Sequence, residues 1–181
     1  MYMIKGLFKT WNTELRYGLI MVGATLLWMV GENIMVSVFN HPEWGEITGS
    51  FSIIIPVTAY WMLLTYLRKR DKALQWQTAI RSCAVMTLAF AVVGAIVTYF
   101  YILYIPQPIE SYLTYLQSTL ELKGQSAEQI SSTVSEMREL FAPHFQATIL
   151  FLSSFVTGAI LTFGLTLIQR KKVTQKTSSE K

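Results

Sequence analysis

Glu32 is the residue whose type and position first raise the question of chemistry, because it lies with Asn33 inside the otherwise apolar stretch 17–39. An ionisable side chain inside such a run costs several kcal/mol at membrane depth, so it marks either an ion, proton or substrate path or a polar contact between helices. If hydrocarbon begins near Tyr17 and ends near Val38, Glu32 sits roughly 9 Å below the outer boundary at ~1.5 Å per residue. A glutamate there can be protonated, or can hydrogen-bond Asn33 or hydroxyls of other segments such as Thr58, Thr98 and Thr157.

The remaining reactive side chains do not assemble into a motif. His41 stands beside Glu43 and Glu46, while His144 lies on a separate loop. A metal centre needs three or four convergent ligands, so no metal site is assigned. Cys83 is the single cysteine, which excludes an intrachain disulfide, a cysteine zinc cluster and a CxxC redox motif. No GxSxG, HExxH or phosphate-cradling glycine loop occurs, and nothing sets a nucleophile next to a base. No catalytic or cofactor-binding residue is assigned, and an enzyme is not expected.

The elements that must position Glu32 follow from where charge is missing. Of the 181 residues, 52% are hydrophobic and 14% charged, against about 25% charged in an ordinary soluble domain. Uncharged intervals run over 47–67, 82–109 and 140–169, and a fourth apolar segment over 17–39 is interrupted only by Glu32 and Asn33. Each reaches the ~20 residues that cross a ~30 Å hydrocarbon core. Four such runs leave no polar layer to wrap them, and inside lipid a helix satisfies its own backbone donors and acceptors. Spans are therefore expected at about 17–39, 47–67, 82–105 and 145–168, with an outer segment over 106–143.

The basic residues sort accordingly. Thirteen of the fifteen fall before the first span, between spans two and three, or after the fourth, while only Lys123 and Arg138 occupy the 106–143 segment. Under the positive-inside rule this puts both termini in the cytoplasm. The cytoplasmic segments then carry net +10, the outer ones −5 and Glu32 within the first span −1, so the overall +4 is an asymmetry across a bilayer rather than a nucleic-acid signal. The cluster Arg68, Lys69, Arg70 and Lys72 is read as a membrane-surface contact to anionic lipid, and no nucleic-acid partner is expected. Trp11, Tyr17, Trp44, Trp76, Tyr99 and Tyr104 fall near the expected boundaries, where amphipathic rings settle.

Before the first span, Met3, Leu7 and Trp11 share one helical face, as in a helix lying at the interface. In the outer segment, Ile109, Tyr112, Leu113, Leu116 and Leu120 recur at helical spacing until Gly124. Ser126 with Gln129 then opens a second helix with a capping box, and Ile130, Val134, Met137 and Leu140 form its stripe. Glu110, Glu121, Glu128, Glu136 and Glu139 make this pair acidic. Small residues supply helix contact faces: Gly18, Gly23, Ala24 and Gly31 in span one, Ala84, Ala91, Gly94 and Ala95 in span three, and Ser154, Gly158 and Thr162 in span four. Pro56 is expected to kink span two.

Several motifs recur in a recognisable order. They are RYGL at 16–19, LRKRDK at 67–72, LQWQTAIRS at 74–82, YILYIPQPIESYL at 101–113, MRELFAP at 137–143 and QRKK at 169–172. Over about 15–172 the chain resembles the DUF4199 family of bacterial membrane proteins, mostly from Bacteroidetes. The resemblance implies four spans and an inner-membrane location, and it carries over no activity or site residue.

The expected protein is all-α, an integral membrane four-helix bundle with an extracytoplasmic amphipathic helical hairpin between spans three and four. It forms a single domain over 1–172 with a disordered tail at 173–181. Its expected role is that of a structural or protein-interaction module in the lipid bilayer, contacting a membrane-protein partner or a second copy of the chain. The alternative is a small transporter or ion-conducting oligomer using Glu32.

Overall fold

The computed structural model describes the backbone of residues 2–39 and 50–179 and the side chains of residues 13–35 and 50–170. Among these residues the structure is all helical. The helices are α1 (Tyr2–Phe39), α2 (Ile54–Asp71), α3 (Trp76–Tyr104), α4 (Gln107–Leu122), α5 (Ala127–Leu140) and α6 (Pro143–Ser179). The surroundings of Met3, Leu7 and Trp11, the loop holding His41, Glu43, Trp44 and Glu46, and the first residues of the expected second span lie outside the described residues. The helical backbone of α6 continues into the stretch expected as a tail, whose side chains also lie outside them.

Among the described residues, three helices have segments long and apolar enough to cross a membrane: Thr13–Met35, Trp76–Tyr104 and Pro143–Arg170. The remaining expected span, the second at 47–67, corresponds to α2, whose 18 residues end in Arg68, Lys69, Arg70 and Asp71 and so fall short of that composition. Its other face is committed to the interior: Tyr60, Leu63, Leu64 and Leu67 are at most 1% exposed and pack with Met21, Cys83 and Met86.

The distribution of side chains is the reverse of a soluble domain's. Leu27, Leu88, Ile96, Leu152, Val156 and Ile160 face outward, while Ser82, Thr87, Thr98, Ser154, Thr162 and Gln169 are buried. Exposed apolar surface on this scale is tolerated where the solvent is lipid, and interhelical hydroxyls then act as contacts. The long apolar helices and this inside-out pattern are those of a membrane protein.

Helix ends follow local chemistry. Pro56 occupies the first turn of α2, where a missing N–H breaks no intrahelical bond, so it opens the described helix rather than kinking it. Lys72, in the left-handed region at φ 57°, ends α2. Pro106 stops α3, and α4 starts directly after it. Gly124, at φ 73°, turns the chain after α4, with Gln125 N–H donating to Leu120 O at 3.2 Å. The Ser126 capping box forms as expected: Gln129 N–H donates to Ser126 Oγ at 3.3 Å, and Ser126 N–H to Gln129 Oε1 at 3.2 Å.

α3 is the central element, packing on both α1 and α6, and α2 contacts each of these as well. α4 and α5 pack on each other, and α4 also touches α1.

Candidate functional site

Glu32 is partly buried on α1 and accepts a hydrogen bond from Trp28 Nε1, one turn earlier, at 3.0 Å. Tyr101 of α3 reaches the same region, donating to Met29 O at 2.9 Å and pairing with the Asn33 side chain. The structure therefore brings Glu32 and Asn33 together with Trp28 and Tyr101 into a polar contact between α1 and α3. Trp28 at i−4 was available as a sequence signal, since residues four apart share a helix face; the hydroxyls considered from sequence were those of other helices.

At the opposite end, Lys69, Arg70 and Lys72 are exposed and Arg68 is half-buried. Arg70 grips Asp71 through two bonds, Nε to Oδ1 at 2.7 Å and Nη2 to Oδ2 at 2.9 Å. That hydrogen-bonded guanidinium holds the Asp71 carboxyl below the usual carboxylate range. Arg70 also lies over the Tyr66 ring at 5.9 Å, and Arg170 lies over Trp76 at 5.5 Å. Trp76 in turn packs on Phe163 with ring centroids 5.7 Å apart. Two of the basic side chains are thus anchored to aromatic rings, a fixed collar of the kind that suits lipid headgroups.

The chain matches the family described as Protein of unknown function (DUF4199) over residues 16–171. It belongs to that family. The DUF4199 match takes in the described part of α1 from Arg16 onward, all of α2 to α5, and α6 to Lys171. No curated protein and no solved structure matches this DUF4199 chain.

Other expected groups separate. His144 is exposed at the start of α6, near Glu136 and Glu139, and no cluster of three or more His, Cys, Asp or Glu occurs among the described residues. Cys83 is fully buried with a free thiol. The expected contact glycines divide. A Cβ on Gly18 or Gly158 would collide with the neighbouring helix, whereas one on Gly23 or Gly31 would meet nothing within 4 Å.

Sequence reasoning missed two polar contacts. Glu14, counted among the cytoplasmic charges, is 2% exposed and accepts a hydrogen bond from Ser82 Oγ of α3 at 2.7 Å. Its spacing to Gly18 and Met21 puts it on the face of α1 that meets α3, which was the available signal. Tyr60 of α2 is hydrogen-bonded to Thr87 of α3 beside Gly158 of α6, and Thr87 Oγ1 donates onward to Cys83 O at 2.7 Å. This joins three helices at a single point. A hydroxyl-bearing groove of about 320 Å³ opens next to it, with Thr25, Ser52, Ser153, Ser154 and Thr157 in its lining.

On the acidic side, Arg138 of α5 clasps Glu110 of α4 through Nη1 to Oε1 at 2.6 Å and Nη2 to Oε2 at 3.0 Å. Both partners are more than half exposed. Water and salt screen such a pair, so it contributes about 1 kcal/mol or less and serves mainly to set the register of the two helices.

Proposed function

We propose that this DUF4199 protein is a four-span module of the bacterial inner membrane, with α2 as the second span and both termini cytoplasmic, whose α4–α5 pair is an outer surface for binding another membrane protein or a second copy of the chain. The supporting observation is the construction of that pair. Leu113, Leu120 and Ile130 are buried, and Arg138 is committed to Glu110. Glu121, Glu128, Glu136 and Glu139 stay exposed. A partner with a basic face suits such a surface by charge complementarity. The orientation rests on the sorting of lysine and arginine between loops.

Two measurements test this reading. A cysteine placed at Lys123 is expected to react with an impermeant maleimide added outside spheroplasts, with buried Cys83 silent. Labelling from the cytoplasmic side alone overturns the orientation. Replacing Glu121, Glu128, Glu136 and Glu139 together by lysine is expected to remove at least nine-tenths of the protein's in-cell crosslinked adducts while expression and melting temperature hold. Unchanged adducts defeat the interaction reading. The geometry lends less to a transporter built on Glu32, because its carboxylate accepts a hydrogen bond from Trp28 of its own helix and Tyr101 of α3 bonds the adjacent Met29 and Asn33.

A further inference from the structure

α3 and α6 make the most extensive helix pair of the bundle, yet their seam is not filled on its outward side. A groove of about 210 Å³ runs along it. Its floor is Thr87 of α3 with Gly158 and Thr162 of α6, all buried. Ile80 of α3 and Phe155 and Phe163 of α6 stand as exposed walls, and Ala84 and Ala159 leave the gap between them. Small residues let two membrane helices cross closely, and the bulkier neighbours on either side then leave a furrow open to lipid.

The lining asks for an apolar occupant. Thr87 Oγ1 donates to Cys83 O and Thr162 Oγ1 to Gly158 O, so the floor offers no free hydroxyl donor. A polar ligand would lose its hydrogen bonds to water here, whereas an acyl chain gains contact at no such cost. A positive charge stands at one end. Phe163 of the groove wall packs on the Trp76 ring at 5.7 Å, and Arg170 lies over that same ring at 5.5 Å, so groove, ring and cation are continuous. Arg170 is exposed and, unlike Arg70 and Arg138, makes no ion pair among the described residues. The ring fixes the guanidinium at the depth where tryptophan settles, with a planar set of donors suited to phosphate.

We propose that the α3–α6 seam binds one anionic phospholipid, with an acyl chain in the groove and the headgroup phosphate on Arg170 beside Trp76. Every phospholipid carries a phosphate, but a zwitterionic headgroup adds an ammonium that the basic collar repels, so charge complementarity selects the anionic class. The site is separate from the α4–α5 surface and rests only on the chain being embedded in a membrane.

The test is native mass spectrometry of the purified full-length protein released from detergent micelles, titrated with dioleoyl phosphatidylglycerol or dioleoyl phosphatidylcholine. The first phosphatidylglycerol is expected to bind about fivefold more tightly than the first phosphatidylcholine. Arg170→Gln removes that preference, leaving the two lipids within about twofold of each other. Ala159→Phe fills the groove and weakens both lipids about tenfold. Ile160→Phe, at an exposed position of α6 outside the groove, leaves both unchanged. Equal affinity for the two lipids in the wild type overturns the proposal, as does a preference that survives Arg170→Gln. Binding untouched by Ala159→Phe overturns it too, reducing the effect to surface charge. So does displacement of the lipid by an equal concentration of glycerol 3-phosphate, which would mark a site for free anions. If Ala159→Phe does not fold, Ala84→Leu closes the groove from α3 and decides in its place. A chain that stays monodisperse without detergent defeats the membrane reading, and the proposal with it.

Discussion

Gly158→Ala is expected to lower the melting temperature of the detergent-purified protein by about 4–10 °C, corresponding to about 1–3 kcal/mol of overpacking in a chain of this size. The new Cβ would stand 2.6 Å from Tyr60 Oη, 2.7 Å from Thr87 Oγ1 and 2.9 Å from Thr87 Cγ2. None of these atoms can move aside cheaply. Tyr60 is 1% exposed and hydrogen-bonded to Thr87. Thr87 is β-branched, with one hydroxyl bond already made to Cys83 O, so rotating χ1 would lose that bond or drive its methyl into the same space. The companion experiment removes the obstacle instead. Combining Gly158→Ala with Thr87→Ala and Tyr60→Phe is expected to recover most of the loss, because the substitutions are coupled through one contact. A single Gly158→Ala protein that melts with the wild type would show that α6 does not approach α2 and α3 here.

Gly18→Ala is expected to have a comparable effect by a different route. Its Cβ would lie 2.9 Å from Ala89 Cβ and 2.9 Å from the backbone oxygen of Met86. Neither atom has a rotamer to change, so α1 must retreat from α3 along this turn. The Glu14–Ser82 bond, one turn away on the same face, should weaken with it. The expected cost is about 2 kcal/mol, read as a drop of about 4–8 °C in the same unfolding measurement. Gly23→Ala is the control on the same helix. Nothing lies within 4 Å of that Cβ, and alanine favours a helix over glycine by ~1 kcal/mol, so this variant should be unchanged or slightly more stable. Equal losses at Gly18 and Gly23 would reduce the first effect to helix flexibility rather than close packing.

The contrast between those two glycines shows how far the chain could be read without its structure. Both lie in span one and both suited a contact face by residue type, yet only Gly18 touches α3. Glycine content reports that a close approach is permitted. Which glycine is used depends on the rotation of α1 about its axis, and that is set by the partners Ala89 and Met86 on a distant segment. Glu32 divides in the same way. Its isolation in an apolar run and Trp28 four residues before it were available from sequence, but Tyr101, which meets the adjacent Met29 and Asn33, comes from a distant segment.

Features that depend on neighbours in the chain were legible. The long apolar runs, the break at Gly124, the Ser126–Gln129 capping box and the DUF4199 motifs need only local spacing and hydropathy, because the hydrogen bonds of a helix and its caps close within four or five residues. Tertiary packing decided the rest. Glu14 enters the sequence reading only as one of the charges on the cytoplasmic side, while packing of α1 on α3 buries it against Ser82. Arg138 and Glu110, 28 residues apart, meet only because α4 folds back on α5. Contacts between distant helices depend on the mutual rotation and offset of whole elements, and no periodicity within one element encodes them.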